Sequence, residues 1–434
     1  MRRVAYQDLL NWKGNKHRKP LLVQGARQVG KTFLINEFGK NEYKKHYYLN
    51  FEQDIKLSTL FDSSLNPDKI INDLGLYIGE KIESDNSLLF FDEIQIAPRV
   101  LTSLKYFQEN APEFHVIAAG SLLGVSVGMD NSFPVGKVNF LSLFPMSFTE
   151  YLIAAGEGLF VEKLNSIEDI APFQEAIHEK MLYHLKLYLF LGGMPEVISD
   201  FLENRDIASA RSIQKDILAA YERDFSKYTE KNQAIKTSEF WSSIPRQLAK
   251  ENKKFKYSDI KKSARTYMYE QTTEWLRKSG LILMAYNMET PKIPLSAYAD
   301  FSKFKVYAHD VGLLAARLNI SSDQIVLPDA LFKDFNGAFI ENFIAQELVS
   351  SGNTQLFYWT SKSDAEVDFI IESGNKIYPL EVKSGTSRTT KSLQSYASRY
   401  SPEKIFRASP RNLIQSDTFV NIPLYAMGLL ERLI

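Results

Sequence analysis

Two groups of residues in this sequence could do chemistry on phosphates, and the first lies close to the N-terminus. Residues 25–32 read GARQVGKT, which matches the pattern GxxxxGK[ST]. Its glycines let backbone N–H groups curl around phosphate oxygens, Lys31 would reach the β- and γ-phosphates of a nucleotide, and Thr32 would bind Mg²⁺. The strand-like run LLVQ before it and the helical stretch TFLINEF after it give the context that this chemistry requires, although a glycine-rich turn is the alternative. We therefore predict that ATP is bound by Gly25, Ala26, Arg27, Gln28, Val29, Gly30, Lys31, Thr32 and Phe33.

Acidic residues that would complete such a site end a buried run further along the chain. Residues 88–93 read LLFFDE, four apolar residues followed by two acids. Asp92 would hold Mg²⁺ directly or through water, and Glu93 would orient or activate the attacking water. The run HVIAAGS ends at Ser121, which either contacts the γ-phosphate or the water, or is only a turn residue. The pattern predicts ATP and Mg²⁺ as cofactors.

The second group lies near the C-terminus, in the segments EVDFII (366–371) and IYPLEVKSG (377–385). Gly374 and Asn375 lie between them and are typical of a two-residue hairpin turn. We therefore predict that the two segments pair as antiparallel strands across this turn.

This pairing places Asp368 opposite Glu381 and Glu366 opposite Lys383, all on one face of the sheet. Glu366 and Lys383 would form an ordinary ion pair. Two facing carboxylates repel unless a proton or a cation bridges them, and Mg²⁺ prefers oxygen ligands. We therefore expect a Mg²⁺ site at Asp368 and Glu381, with Lys383 stabilising charge that develops on a phosphate. A charged sheet face without catalysis is the alternative, and Pro379 predicts an edge or a bulge that would shift this register.

The composition limits what else the protein can be. At 434 residues the chain is long enough for roughly two to four domains. Equal counts of 52 basic and 52 acidic residues give no global attraction to nucleic acid. The absence of cysteine excludes disulfides and thiolate sites and agrees with a reducing compartment. Because neither a signal sequence nor a spanning run is evident, we expect a cytoplasmic protein without membrane contact.

The elements that must position these residues follow from the hydrophobic pattern. Alternating apolar runs and helical stretches over residues 20–150 predict a parallel sheet with crossover helices. Residues 151–225 have a helical pattern. Residues 235–320 combine a basic helical region with the runs LILMAYN and KFKVYAHD, which predict a β-hairpin or wing. Residues 330–434 begin with a helix and continue as strands.

The segments GARQVGKT, LLFFDEIQ, AAGSLLG and LFPMSFTEYL resemble AAA+-type ATPases of bacteria and archaea that carry a helical lid and a winged helix. The resemblance is strongest over residues 20–200. It implies that GGMP (192–195) belongs to the lid and that Pro195 lies near the adenine, although a helix-breaking turn would explain the same residues. Lys137 stands where relatives often have an arginine, and a lysine offers a phosphate a point charge in place of a planar fork.

A basic stretch occupies the middle of the chain. Residues 250–265 hold seven basic and two acidic residues. We expect Ser258 to cap a helix over DIKKSAR, followed by the helix TYMYEQTTEWLRKSG. Together with the hairpin, these elements predict a winged-helix-like domain. The lysines that either contact DNA phosphates non-specifically or form a solvated face are Lys253, Lys254, Lys256, Lys261 and Lys262.

Asp368, Glu381 and Lys383 resemble the three signature positions of PD-(D/E)xK nucleases, over about residues 335–400. The preceding helix of that family often supplies another acid, and Glu341 in GAFIENF matches that place as a metal ligand. Glu347 is a rival because it lies nearer the middle of the apolar stripe of the same helix. The resemblance implies metal-dependent cleavage of phosphodiesters and leaves open whether the site is active.

The combined prediction is an α/β protein with a P-loop parallel-sheet core of AAA+ type (1–150), a helical lid (151–225), a winged-helix-like domain (226–325) and a C-terminal restriction-endonuclease-like α/β domain (326–434). The first functional hypothesis is a DNA-processing ATPase whose C-terminal site cuts phosphodiesters with Mg²⁺. The second is a nucleotide-switched regulatory or scaffolding ATPase whose nuclease-like domain is inactive and binds DNA or a partner. Both are compatible with an oligomer.

Overall fold

A computed structural model describes residues 2–121, 136–166, 171–228, 231–250, 254–321, 336–361, 365–385 and 390–434. The chain divides into two compact units. The first consists of Met1–Phe144 and Lys278–Gly280, and the second of Pro145–Arg277 and Leu281–Ile434.

The described part of the first unit contains a five-stranded parallel sheet with the order β2-β3-β4-β1-β5. The strands are β1 (Leu21–Gly25), β2 (Lys45–Asn50), β3 (Ser87–Asp92), β4 (His115–Ser121) and β5 (Asn139–Ser142). The helices are α1 (Ala5–Gly14), α2 (Lys31–Glu42), α3 (Lys56–Thr59), α4 (Pro67–Ile78) and α5 (Pro98–Asn110). The predicted parallel α/β core is confirmed, and β5 is the strand that the sequence pattern missed.

The strand β3 shows why the apolar pattern predicted this sheet so well. All of its residues are buried, including Asp92 at its end. A parallel sheet is covered by helices on both faces, so its strands appear as nearly continuous apolar runs. Because the carboxyl ends of β1 and β3 meet at one edge of the sheet, the loop after β1 and the acids after β3 lie close together.

The second unit begins with helices, as the pattern of residues 151–225 predicted. They are α6 (Phe148–Ala154), α7 (Gly158–Ser166), α8 (Glu175–Leu191), α9 (Pro195–Asn204), α10 (Ile207–Tyr228), α11 (Lys231–Leu248), α12 (Thr266–Lys278) and α13 (Val311–Arg317). The helix predicted over DIKKSAR is wrong, since only a short 3₁₀ turn, Tyr257–Asp259, forms there. Within the described ranges, no helix combines the length and the apolar character needed to cross a membrane.

An eight-stranded mixed sheet occupies the rest of the second unit as far as the structure describes it, in the order β12-β13-β11-β10-β9-β8-β6-β7. The strands are β6 (Ile282–Met288), β7 (Ala299–Ala308), β8 (Leu356–Thr360), β9 (Glu366–Ser373), β10 (Lys376–Val382), β11 (Ile405–Ser409), β12 (Ile414–Gln415) and β13 (Phe419–Pro423). The remaining helices are α14 (Asn336–Ser350), α15 (Lys391–Tyr400) and α16 (Leu430–Leu433).

The predicted hairpin forms, but it is not a free wing. Strands β6 and β7 pair in antiparallel fashion, and β6 also pairs in parallel with β8. One sheet therefore continues across the domain boundary predicted between residues 325 and 326. The four-domain division stays a prediction.

The register predicted for the C-terminal hairpin is confirmed as far as Phe369 and Leu380, and the predicted pairs of Asp368 with Glu381 and of Glu366 with Lys383 lie beyond this ladder. Ser373 pairs with Lys376 across the Gly374–Asn375 turn, and the ladder continues without a shift to Phe369 and Leu380. Pro379 causes no bulge on this side. On its other side, the pairing of β10 with β11 begins only at Leu380, so the missing N–H of Pro379 interrupts no ladder there.

Helix α14 carries buried polar side chains that bind the backbone of other segments. Asn342 accepts a hydrogen bond from the Ala308 N–H (2.8 Å) and donates one to the Ala308 carbonyl (3.0 Å). Gln346 accepts from the Val311 N–H at 2.9 Å. These bonds fix the end of β7 and the start of α13 against α14.

The segment GGMP is a tight turn between α8 and α9. The Gly193 N–H donates to Asp310 Oδ2 at 2.6 Å, and its carbonyl accepts from the Met146 N–H at 2.6 Å. A Cβ atom at Gly193 would lie 2.1 Å from the Met146 carbonyl oxygen. Pro195 then occupies the first turn of α9, where its missing N–H costs nothing. Its predicted place near the adenine stays a prediction.

The substitution Gly193→Ala is expected to lower the free energy of unfolding by about 1–3 kcal/mol, because the added methyl group must push two backbone segments apart. Thermal unfolding of the purified protein measures this as a lower Tm. Gly158→Ala is the matched control, since a Cβ atom there meets nothing within 4 Å. Equal Tm values for the two variants would contradict the close packing at Gly193.

Candidate functional site

The phosphate loop of the first unit has two glycines that are required for different reasons. Gly30 lies directly before α2 with φ 92°, a conformation that favours glycine. Gly25 has an ordinary φ, but a Cβ atom there would lie 2.2 Å from the Leu143 carbonyl oxygen. Gln28 also has a positive φ, 66°. The loop therefore curls tightly between β1 and α2, as phosphate binding by backbone N–H groups requires.

Lys31 is buried at the start of α2 and is held by the loop itself. Its Nζ donates to the carbonyl oxygens of Gly25 (3.0 Å) and Ala26 (2.9 Å). Burial lowers the pKa of Lys31 to about 8, against the opposing effect of the Glu93 and Asp92 carboxylates. The ammonium group is thus fixed inside the loop, where a nucleotide phosphate would meet it.

Thr32 and Asp92 meet as the sequence predicted. The Thr32 hydroxyl donates to Asp92 Oδ2 at 2.8 Å, and the Tyr48 hydroxyl donates to the same oxygen at 3.2 Å. Burial raises the pKa of Asp92, partly offset by the bond from Thr32. Two adjacent oxygen donors at the end of the loop fit Mg²⁺, which prefers oxygen ligands and keeps room for water and phosphate.

Glu93 follows in a left-handed conformation, with φ 56°. Its carboxylate accepts a hydrogen bond from Gln95 Nε2 at 2.5 Å. The side chain is therefore oriented by a neighbour rather than swinging freely beside Asp92. Ser121 ends β4 directly opposite Gly25 in the sheet register, while its side chain lies outside the described part of the structure.

Arg3, which the sequence pattern did not predict, holds the phosphate loop through hydrogen bonds to backbone oxygens. Arg3 is buried and donates to the carbonyl oxygens of Val29 (2.8 Å) and Phe144 (2.7 Å). It links the loop to the end of the first unit. No local pattern identifies such a residue, because its partners are backbone atoms that are distant in the sequence.

Two other positions singled out in the sequence, Phe33 and Lys137, lie in ordinary surface surroundings. Phe33 is 55% exposed, so an apolar ring lies at the surface directly after the loop. Lys137, which stands in the place of an arginine, forms a 2.9 Å ion pair with Glu109. That pairing uses its ammonium group inside the first unit.

In the second unit, Asp368 lies on β9, Glu381 lies on β10 and Lys383 directly follows β10, and each of the two acids has a hydrogen-bond or ion-pair partner. Asp368 Oδ2 accepts the Val382 N–H at 2.8 Å. Lys383 Nζ lies 2.7 Å from Glu381 Oε1. The predicted Glu366–Lys383 ion pair is wrong, because Lys383 pairs with Glu381 and Glu366 pairs with a different lysine.

Lys305 on β7 is the cation that the sequence reasoning did not find. It is fully buried, and its Nζ lies 2.5 Å from Glu366 Oε1, 2.9 Å from Glu341 Oε1 and 3.8 Å from Asp368 Oδ1. Burial lowers the pKa of Lys305, but these carboxylates outweigh that effect and raise it above its ordinary value. Glu341 also accepts a hydrogen bond from the Tyr307 hydroxyl at 2.5 Å.

Glu347, the rival of Glu341, has a different role. Its Oε1 accepts the N–H of Phe148 at the start of α6, at 2.9 Å. Burial raises the pKa of Glu347 to about 8. Glu347 therefore ties α14 to the first helix of the unit, whereas Glu341 is the acid near Asp368.

This cluster does not fit a metal ion. The oxygens of Glu341, Glu366 and Asp368 surround an ammonium group, and a lysine also pairs with Glu381. Glu381 Oε2 is buried without a hydrogen-bond partner, but a divalent cation needs several oxygens. Across the described residues, no group of three or more His, Cys, Asp or Glu side chains could hold a metal.

The basic stretch in the middle of the chain is partly neutralised. Lys261 pairs with Glu239 at 2.8 Å, and Lys250 pairs with Asp259 at 2.8 Å. Lys253 lies outside the described residues. Lys256 and Lys262 are exposed, and the choice between a solvated face and contact with DNA phosphates stays a prediction.

Comparison with known families matches three separate segments. Residues 17–152 match a family described as an AAA domain. Residues 182–324 and 336–426 each match a domain of unknown function (DUF8612 and DUF4143). No curated protein matches the chain.

Among solved structures, the chain is similar to the Walker-type ATPase PABY2304 of Pyrococcus abyssi, with 15% identity over 72% of this chain and 94% of that one and a TM-score of 0.45. It is also similar to the ORC2 protein of Aeropyrum pernix in its ADP form, with 14% identity over 74% and 93% of the two chains and a TM-score of 0.32. The ORC1 protein of the same organism, in complex with DNA, gives 11% identity over 73% and 90% and a TM-score of 0.30. At these scores the similarities carry no conclusion about function.

The residues that match the AAA domain include all five strands of the parallel sheet described in the first unit. The matched residues contain the curled loop after β1, the buried lysine and the Thr32–Asp92 contact. The described part of residues 17–152 therefore combines a match to an AAA domain with the parallel sheet and the loop of a P-loop α/β core.

Proposed function

We propose that this protein binds and hydrolyses ATP at the loop between β1 and α2, with Mg²⁺ held by Thr32 and Asp92. The 2.8 Å contact between the Thr32 hydroxyl and the Asp92 carboxylate carries the proposal. This contact shows that the side-chain oxygens of Thr32 and Asp92, which are far apart in the sequence, are adjacent in the fold. The bound Mg²⁺ would supply positive charge for the phosphate oxygens.

The residues of the chain divide the remaining work. The loop N–H groups and the Lys31 ammonium would hold the phosphates and stabilise the negative charge that develops on them. Glu93, oriented by Gln95, is the residue suited to position a water molecule or accept its proton. Arg3 would keep the loop in shape through its bond to the Val29 carbonyl.

For the second unit, the ion pairing supports the regulatory hypothesis over cleavage. A site that cuts phosphodiesters with Mg²⁺ needs carboxylate oxygens that are open to the ion. Here Lys305 already occupies the space among Glu341, Glu366 and Asp368. We therefore infer a nucleotide-switched regulatory or scaffolding ATPase whose C-terminal domain binds DNA or a partner without cutting nucleic acid. A cytoplasmic location and assembly into an oligomer remain expectations from the sequence.

Lys31→Ala is expected to reduce ATP turnover roughly 100-fold or more, because one preorganised charge at the transferred phosphoryl group is lost. Steady-state phosphate release measures this. Lys40→Ala is the matched control, since Lys40 is an exposed lysine on the same helix. Equal ATP turnover in Lys31→Ala and Lys40→Ala would contradict the assignment of the loop after β1 as the phosphate-binding site.

The wild-type protein is expected to leave single-stranded and double-stranded DNA and RNA intact in the presence of Mg²⁺, with or without ATP. Gel analysis of labelled substrates provides the measurement, and Asp368→Ala is assayed in parallel. Cleavage by wild type that disappears in Asp368→Ala would restore the nuclease hypothesis. Equal cleavage by both proteins would indicate a contaminating nuclease.

A further inference from the structure

The environment of Lys305 is unusual for a lysine. Its side chain extends from β7 across the Tyr358 ring on β8, 4.9 Å from the ring centre, and ends among acids of β9 and α14. No part of it is exposed to solvent. A charge that is taken out of water must be matched by close opposite charges, or the fold loses stability.

The acids around Lys305 in turn need a positive charge close to them. Glu341 and Asp368 are both mostly buried, with 1% and 16% of their side chains exposed, and both lie within 4 Å of the same ammonium group. Without a cation between them, these carboxylates would repel one another and take up protons. The ammonium group therefore does the electrostatic work that a metal ion does among the acids of a metal-dependent hydrolase.

We propose that Lys305 is a built-in cation that takes the place of a divalent metal in the C-terminal acidic cluster. The wild-type cluster then binds no divalent ion, and removal of the lysine ammonium converts it into a divalent cation site. The ligands of that site would be the oxygens of Glu341, Glu366 and Asp368.

This inference deepens the non-cleaving function proposed above, but metal binding tests it independently of cleavage. A wild-type protein that binds a metal at Asp368 without cutting nucleic acid would refute the role of Lys305 and leave the proposed function standing. Cleavage of nucleic acid by a wild-type protein that binds no metal at Asp368 would refute the proposed function and leave the role of Lys305 standing.

The experiment uses Mn²⁺ as the probe, on the full-length protein without nucleotide. Free Mn²⁺ is followed by electron paramagnetic resonance, and Tm is recorded with and without the ion. The proteins are wild type, Lys305→Ala, Lys303→Ala, Asp368→Ala and the double variant Lys305→Ala/Asp368→Ala. Lys303 is the matched control because it lies on the same strand and pairs with Glu289 and Asp300 at the surface.

Lys305→Ala is expected to bind one more equivalent of Mn²⁺ than wild type, and millimolar Mn²⁺ should raise its Tm by about 5 °C. Lys303→Ala should behave like wild type. The double variant should lose the additional equivalent, which assigns it to Asp368 and excludes the phosphate loop as its source.

Two results would overturn the proposal. One is a folded Lys305→Ala protein that binds no additional Mn²⁺. The other is wild-type binding of Mn²⁺ that Asp368→Ala removes. If Lys305→Ala does not fold, Lys305→Met keeps the apolar stem of the side chain and serves in its place. If Lys305→Met also fails to fold, the proposal is tested by Mn²⁺ binding to wild type and to Asp368→Ala: equal binding supports it, and weaker binding by Asp368→Ala overturns it.

Discussion

The second unit depends on one constraint, which is that helix α14 buries polar side chains that must all find partners. Glu341, Asn342, Gln346 and Glu347 lie within two turns of one helix and are almost completely buried. Burial of such groups is costly unless each is hydrogen-bonded or paired. Their partners are the Lys305 ammonium, both backbone groups of Ala308, and the backbone N–H groups of Val311 and Phe148. The positions of β7, α13 and α6 all follow from this requirement.

The same requirement explains why a group of acids can persist in the second unit without a metal. An isolated buried carboxylate would become protonated, and several together would do so more readily. A lysine from another strand provides the compensating charge, and a tyrosine hydroxyl provides a further hydrogen bond. The acidic cluster is therefore part of the packing of the unit as well as a candidate for chemistry.

Four of the five strands described in the first unit could be predicted from the sequence, because their signals are local, whereas β5 was missed. Gly30, Lys31 and Thr32 are adjacent, and the buried run before Asp92 marks the strand that brings this acid to the loop. The hairpin of β9 and β10 was predictable for the same reason, since a two-residue turn fixes its register. What could not be predicted were partners from distant segments. Lys305 alternates along β7 with the apolar residues Phe304 and Val306, so the sequence pattern gives it the appearance of a surface lysine. Arg3 binds backbone oxygens, which leave no trace in the pattern of side chains.

The hydrogen bonds that close the second unit also have a consequence for how the chain acquires its structure. The Phe148 N–H finds its acceptor 199 residues later, and the Gly193 N–H finds its acceptor 117 residues later. During synthesis on the ribosome, the helices after residue 145 therefore emerge long before the groups that satisfy their buried ends. Contacts of such long sequence separation form slowly, because a large loop must close before they contribute. Until α14 has been synthesised, the backbone N–H group of Phe148 lacks the acceptor that it has in the folded protein. Any break in the chain between the early helices and α14 would separate the Phe148 N–H from the Glu347 carboxylate that accepts its hydrogen bond.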